Sequence, residues 1–121
     1  MTNTKKSNKL DHVKQGQYVY VDLGNDHQYC EQAGKRPAIV LSNNTYNKYN
    51  NTVVIAPITT KIKRDYKTSV RVPKNAYFTG TILLQHVRTV DKQRISIARK
   101  YGKASTGFIH VLKKHMLTDI I

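Results

Sequence analysis

Two short apolar runs, each beside a proline, set the strongest limit on the fold. Residues 38–41 (AIVL) follow Pro37, and residues 52–56 (TVVIA) precede Pro57. Both are aliphatic or β-branched, and their length is typical of buried strands rather than of helices. Proline lacks the N–H that a central ladder uses, so it is expected where a strand begins or ends. The sequence therefore predicts buried β-strands at residues 37–41 and 52–56.

The remaining patterns favour more strands followed by one helix. Further strands are predicted at residues 17–23, 69–72 and 81–84, and a loop at the asparagine-rich residues 42–51. From Ser105 or Thr106, either of which suits an N-cap, apolar residues recur at helical spacing through Phe108, Leu112 and Met116. Strands without βαβ alternation predict a mainly β protein, either an antiparallel sheet or a small barrel, with a C-terminal helix packed on it.

Charge and length constrain the partners and the domain organisation. The 121 residues predict a single domain at residues 16–121, preceded by a disordered basic arm at residues 1–15. The chain has 21 Lys and Arg against seven acids, a formal charge of +14. Solubility alone needs a net charge of only about 2–8, so we expect a polyanion as partner, either nucleic acid or an acidic protein that mimics it. Eight tyrosines offer rings for base stacking, although several will be core residues.

Several classes of site and location are disfavoured. A single cysteine, Cys30, excludes an internal disulfide and a thiolate zinc cluster. The five histidines lack metal-ligand spacing, so neither a metal nor another cofactor is expected. The chain contains no P-loop, GxSxG or HExxH motif. Without a secretory signal or an apolar run of about 18 residues, the protein is expected in the cytoplasm and not in a membrane.

Three residues near the predicted strands fit metal-free phosphodiester chemistry on RNA, in which the substrate's own 2′-hydroxyl attacks. Arg36 provides a permanent, bidentate cation for phosphate, and Thr59 provides a hydroxyl for a non-bridging oxygen. Glu31 could orient Arg36 or act as a base. An exposed Arg36–Glu31 ion pair and an ordinary strand-end hydroxyl explain the same residues. From the residues alone, the prediction stops at a basic β domain that binds single-stranded nucleic acid.

Three blocks of sequence together resemble the MazF/PemK/Kid class of type II toxin endoribonucleases. They span most of residues 16–94, and the second and third are the more specific. The blocks are GQYVYVDL (16–23), EQAGKRPAIVLS (31–42) continued by APITT (56–60), and ILLQHVRTVDKQR (82–94).

The resemblance implies a small SH3-like barrel with a C-terminal helix, acting as a homodimer. It implies metal-independent, sequence-specific cleavage of single-stranded RNA to 2′,3′-cyclic phosphate and 5′-hydroxyl products. It also implies an antitoxin whose acidic segment covers the RNA groove. Arg36 would be the main catalytic residue, Thr59 would hold the scissile phosphate, and Glu31 would assist. The residues expected to contact RNA are Gln32, Lys35, Thr60, Lys61, His86 and Arg88.

Some positions depart from the family pattern, and two other functions stay open. Tyr29 and Cys30 stand where relatives often carry Gly-Ser, which affects the expected RNA specificity. His86 replaces a glutamine and suits either RNA contact or a dimer interface. The alternatives are a non-catalytic nucleic-acid-binding module and a gyrase-poisoning toxin of related fold. The C-terminal residues 116–121 lack the tryptophan-glycine-isoleucine type of ending expected for the latter.

Overall fold

A computed structural model of the chain describes residues 13–24, 34–61 and 68–121. The strands are β1 (Tyr18–Asp22), β2 (Lys35–Val40), β3 (Thr52–Thr59), β4 (Ser69–Arg71), β5 (Thr81–Leu83), β6 (Arg88–Asp91) and β7 (Ile95–Ser96). The helices are α1 (Asn44–Tyr49) and α2 (Thr106–His115), the latter continuing into a π-helical turn at Met116–Ile120. Short 3-10 turns occupy Leu84–His86, Lys92–Arg94 and Arg99–Tyr101. The predicted mainly β fold with a C-terminal helix is confirmed.

All the strand pairs are antiparallel, and they form one sheet in the order β4-β5-β3-β2-β1-β7. β6 lies off this path and pairs with the first half of β3. Among the described strands the sheet is not closed, because β4 and β7 remain at its ends. The Lys92–Arg94 turn nevertheless connects two distant strands of the sheet. It follows β6, which pairs with β3, and it precedes β7, which pairs with β1.

The central strands are apolar throughout because both faces of the sheet are covered. Successive strand side chains point to opposite faces. On one face, Val21 and Val40 belong to a core built from strands. On the other face, Ile39 and Ile58 pack in a second core that includes Leu112 of α2. A strand between two cores needs apolar residues at every position, which explains the unbroken runs in β2 and β3.

The core includes a described residue that precedes Gly16, the predicted start of the domain. Val13 is only 2% exposed and belongs to the strand-built core. The backbone N–H of Gly16 donates to the carbonyl of Val40 at 2.7 Å, which ties the entering segment to β2. The rest of the predicted basic arm, residues 1–12, lies outside the described residues.

The prediction of a loop at residues 42–51 was wrong, because six of these residues form α1. Asn43 accepts a hydrogen bond from the backbone N–H of Tyr46 and so caps the helix. Asn47 is fully buried and donates from its side-chain amide to the carbonyl of Ser42. The asparagines that suggested a loop therefore start and anchor a short helix, since the same side chains favour both roles.

β3 does not end at Pro57, contrary to the sequence expectation, and it runs on to Thr59. On one side of β3, β6 pairs as far as Ile55, and β5 pairs from Ile58 onwards. Pro57 lies between these two partners, where no ladder pair is formed on that side among the described strands. A missing N–H therefore costs no ladder hydrogen bond there.

No helix in the described ranges is long and apolar enough to cross a bilayer.

Candidate functional site

The pairing of β2 with β3 brings Arg36 and Thr59 to the same end of the sheet. The last pair of this antiparallel register is Ala38 with Pro57, and both strands run on by at least two residues. Continuing the register over those residues predicts that Arg36 lies opposite Thr59, and directly opposite side chains share a face of the sheet, with Cβ atoms about 4.5–5.5 Å apart. The two residues that the sequence singled out for phosphate chemistry, 23 positions apart, are therefore expected to be neighbours.

Arg36 and Thr59 lie where the strand-built core meets solvent. Val21 of β1 is opposite Arg36 on its other side and is 1% exposed. Thr59 is 6% exposed, and Arg36 is half-buried. A guanidinium placed beside a packed core loses less conformational freedom on binding, and partial burial strengthens its attraction to an anion.

The hydroxyl of Thr59 is oriented by the backbone just beyond β3. Its Oγ1 accepts a hydrogen bond from the backbone N–H of Lys61 at 3.1 Å. Because the oxygen is the acceptor in this bond, the hydroxyl proton remains able to donate to an anion. Thr60 and Lys61 are exposed, and the continued register sets exposed Lys35 opposite Thr60. Three further predicted RNA-contacting residues thus lie at the Arg36–Thr59 end of the sheet.

A glycine packed against Thr59 was missed by sequence reasoning. Gly80 precedes β5 and has φ +127°, a conformation that side chains rarely adopt. A Cβ there would lie 2.5 Å from the carbonyl oxygen of Thr59, well inside van der Waals contact. The close approach lets β5 pair with the end of β3 through Thr59 and Thr81. We therefore expect a side chain at this position to displace the end of β3 that carries Thr59. The glycine before an apolar strand was the available sequence signal.

The third sequence block supports the base of the β1–β2 connection. The N–H of Leu23 donates to the carbonyl of Gly34 at 2.9 Å, which closes the base of the loop. Arg94 Nη1 donates to the carbonyl of Asp22 at 3.1 Å. Asp91 Oδ1 accepts from the N–H of Gln93 at 2.8 Å and so caps the turn that carries Arg94. The part of this loop that carries Glu31 and Gln32, together with Tyr29 and Cys30, lies outside the described residues.

This anchoring by Arg94 leads to a testable expectation for the loop base. In Arg94→Met, the amide hydrogens of Leu23 and Gly34 should exchange with solvent roughly five- to tenfold faster, because one hydrogen bond to the strand end is lost. The measurement is native-state hydrogen exchange. Arg99→Met, which replaces an exposed arginine on another 3-10 turn, is the control. Equal exchange rates in both variants would contradict the anchoring role.

Two of the predicted RNA-contacting residues lie away from the Arg36–Thr59 pair. Arg88 pairs with Ile55, four residues before Thr59, which corresponds to about 13 Å along the strand. His86 ends a 3-10 turn after β5 and is half-buried. The structure therefore brings together Arg36 and Thr59 with the exposed residues beside them, and it sets Arg88 further along β3.

Acidic groups are sparse around this end of the sheet. Three acids occur among the described residues, and one of them, Asp119, pairs with His115 on the C-terminal helix at 3.0 Å. Asp91 caps a turn, and Asp22 accepts a hydrogen bond from Gly24. Within the described ranges no group of His, Cys, Asp or Glu could hold a metal ion. Among the described residues at this end of the sheet, Lys35, Arg36 and Lys61 outnumber Asp22, which lies opposite Lys35, so this described part carries net positive charge and suits an anionic ligand.

Comparison with known proteins defines the class of this fold. It is that of MazF toxins: MazF from Deinococcus radiodurans aligns with a TM-score of 0.74 at 24% identity, over 86% of this chain and 92% of that one. A mycobacterial endoribonuclease in complex with its cognate antitoxin aligns with a TM-score of 0.72 at 23% identity, over 88% and 92%. Residues 14–117 match the family described as PemK-like, MazF-like toxin of type II toxin–antitoxin system. The chain belongs to this family, and the resemblance found in its sequence is confirmed.

Proposed function

We propose that this protein is an endoribonuclease toxin that cuts single-stranded RNA at a short sequence without a metal ion. The observation that carries the proposal is the register of β2 and β3, whose last pair is Ala38 with Pro57 and whose continuation predicts Arg36 opposite Thr59. The mycobacterial relatives described as endoribonucleases support the same activity. The proposed substrate is messenger RNA, so the cleavage is proposed to take place in the cytoplasm.

The proposed reaction is an internal transfer at phosphorus. The 2′-oxygen forms a bond to the adjacent phosphorus, and the bond from phosphorus to the 5′-oxygen breaks. The proton of the 2′-hydroxyl is removed and a proton is delivered to the leaving oxygen, so no water is consumed. The products are a 2′,3′-cyclic phosphate and a 5′-hydroxyl. A catalyst for this step has to neutralise the charge of the phosphorane and manage two protons.

Arg36 and Thr59 divide this work in the proposed site. The guanidinium of Arg36 binds two phosphate oxygens at once and stabilises the added charge of the phosphorane. It is also proposed to assist protonation of the leaving oxygen. The Thr59 hydroxyl, held by the N–H of Lys61, donates to a non-bridging oxygen. Glu31 is proposed to orient Arg36 or to accept the 2′ proton.

RNA is proposed to extend from this pair over the positive surface. Lys35, Thr60 and Lys61 are exposed at the same end of the sheet as Arg36 and are proposed to hold the neighbouring phosphates. Gln32 is proposed to contact a base from the β1–β2 loop. Arg88 and His86 are proposed to contact nucleotides further along the RNA. Arg88 is about 13 Å from Thr59 along the strand direction.

An acidic antitoxin and a second copy of the chain are the proposed protein partners. The charge of +14 favours an acidic segment that competes with RNA for the same surface. MazF from Deinococcus radiodurans is known in MazE–MazF structures, which supports an antitoxin partner here. The homodimer is supported by apolar residues left exposed at the C-terminal end, where Leu117 is 70% and Ile121 84% exposed.

The direct test is incubation of the purified protein with a long RNA in EDTA, followed by mapping of the cut sites and of the terminal phosphates. We expect cleavage at one short sequence, and we expect Thr59→Val to lower kcat about 10²-fold, because one donor to the phosphorane is lost. Thr89→Val, at an exposed position of β6, is the matched control and should cleave normally.

Two outcomes would contradict the proposal. Intact RNA with the wild-type protein would exclude the activity. Binding that weakens steeply with salt, without any cleavage, would instead assign the protein as a nucleic-acid-binding module. Retention of full activity in Thr59→Val would leave the cleavage in place but remove Thr59 from the site.

A further inference from the structure

A cavity of about 490 Å³ lies between the segment after β4 and the segment before α2, away from the Arg36–Thr59 pair. Its walls include Tyr18, Tyr77, Lys100, Tyr101 and Lys103, and we call it the tyrosine cavity. Pockets that bind small organic groups have volumes of about 300–1,000 Å³ and combine apolar walls with a few polar groups. The cavity is therefore large enough for part of a nucleotide.

The rings around the tyrosine cavity hold one another in place. Phe78, 6% exposed, is in ring contact with Tyr77 at 5.1 Å and with Tyr101 at 5.2 Å between centroids. Tyr20 contacts Phe78 at 5.0 Å and Tyr101 at 5.6 Å. Tyr77 nevertheless remains 51% exposed and Tyr20 39% exposed. Exposed rings fixed by a buried ring can stack on a flat ligand at little cost in side-chain entropy.

Positive charge accompanies these rings. Lys100 Nζ lies 5.9 Å from the centroid of the Tyr77 ring and 6.0 Å from that of Tyr101. Lys103 contributes a second ammonium to the wall, and no acidic residue lines the cavity in the described part of the chain. Rings for stacking with lysines for phosphate are the combination that single-stranded nucleic acids bind. An uncharged apolar ligand would not need the lysines.

A buried hydroxyl at the cavity wall lacks a partner. Tyr18 is 3% exposed, and its hydroxyl makes no hydrogen bond within the described residues. Burial raises the pKa of this hydroxyl above its ordinary value, so the group keeps its proton and remains a donor. An unpaired buried hydroxyl costs free energy, so a polar partner for this group would stabilise the wall of the cavity.

We propose that the tyrosine cavity binds a nucleotide of the single-stranded RNA substrate, with the base on Tyr77 and the phosphate beside Lys100. The inference rests on the proposed RNA cleavage and adds a second contact point for the same substrate. Tyr20 lies opposite Pro37, next to Arg36 in sequence, so its ring leaves the sheet on the face opposite to Arg36. The proposed nucleotide is therefore not one of the two that flank the cleaved phosphodiester bond. It belongs to a part of the RNA that has passed the end of the sheet.

The test uses single-stranded 2′-O-methyl RNA of mixed sequence, in lengths that rise by one nucleotide. This probe lacks the attacking hydroxyl, so its binding is measured whether or not the protein cleaves RNA. We expect the affinity of the wild-type protein to rise at one RNA length, at which the RNA first reaches the tyrosine cavity. Tyr77→Ala should abolish that step and lower the affinity for longer RNA about tenfold, the order of one lost base stack.

A matched pair elsewhere on the surface provides the control. Lys48 Nζ lies 5.4 Å from the centroid of the Tyr49 ring, and Tyr49 is 73% exposed, so Tyr49→Ala removes a similar exposed ring. This ring is at the end of α1, next to the start of β3, and β3 spans roughly 23 Å to Thr59. Tyr49→Ala should keep the step in affinity. With cleavable RNA, Tyr77→Ala should raise KM for long substrates without changing kcat.

The two proposals fail in different ways. Absence of cleavage by the wild-type protein would overturn the enzymatic proposal, while the length series still tests the cavity. The same affinity step in Tyr77→Ala as in Tyr49→Ala, with equal affinities at every length, would overturn the nucleotide site and leave the cleavage proposal intact. A KM unchanged for long RNA would also contradict the site.

Discussion

Replacement of Arg36 with alanine is expected to lower RNA cleavage by at least about 10³-fold. The guanidinium is the cation that the continued register of β2 and β3 predicts opposite Thr59, and its positive charge is needed most to stabilise the phosphorane. The measurement is single-turnover cleavage of a short RNA that contains the mapped site. The loss should appear in the rate of the chemical step more than in RNA affinity, since neighbouring lysines also bind phosphate.

Arg36→Lys is the informative companion variant. It keeps one positive charge but loses the planar, two-point donor, so we expect recovery of only a small part of the activity. Both variants should retain the wild-type melting temperature within a few degrees, because Arg36 is half-buried at the end of a strand. Cleavage by Arg36→Ala at more than about a tenth of the wild-type rate would exclude Arg36 as the main catalytic residue.

Gly80→Ala is expected to lower both the free energy of unfolding and the kcat of RNA cleavage. A Cβ at this position would lie 2.5 Å from the carbonyl oxygen of Thr59, and the backbone has φ +127°. We expect a loss of about 2–4 kcal/mol in the free energy of unfolding, from strain and from displacement of the end of β3. Urea denaturation measures this loss. Since Thr59 must shift, kcat should also fall about tenfold or more under conditions where the variant is folded.

Gly102 provides the control for backbone strain alone. Its φ is +78°, but a Cβ there would have no heavy atom within 4 Å outside its neighbours in the chain. Gly102→Ala should therefore lose only about 1 kcal/mol, with normal cleavage of short RNA. If the two variants were equally stable and equally active, the proposed role of Gly80 in positioning Thr59 would be excluded.

Local sequence patterns predicted β2, β3 and α2, because the apolar spacing of these elements can be recognised without knowledge of distant residues. The runs in β2 and β3 are apolar because two cores cover them, and α2 has the helical spacing that burying Ile109 and Leu112 requires. The N-cap at Ser105, whose Oγ accepts from the N–H of Phe108, was among the predicted alternatives. The short strands β6 and β7 were not predicted from the sequence.

The two errors have a common cause. The sequence predicted that β3 stops at Pro57 and that residues 42–51 form a loop. Pro57 is accommodated because the neighbouring strand changes from β6 to β5 beside it. Asn47 stabilises α1 because Ser42, five residues earlier, accepts its amide proton. In each case a hydrogen-bonding or pairing partner, rather than the residue type alone, decides the local structure.

By itself, the sequence determined a basic, mainly β domain of the MazF-like family with Arg36 and Thr59 as its candidates for phosphate chemistry. Charge, apolar runs and motif blocks are local properties, so they can be read without the fold. Only the tertiary structure decided that Arg36 and Thr59 lie at the same end of neighbouring strands, that Gly80 packs against the backbone of Thr59, and that Tyr18, Tyr77 and Tyr101 line one cavity. These relations depend on strand register and on contacts between distant segments, which no linear spacing encodes.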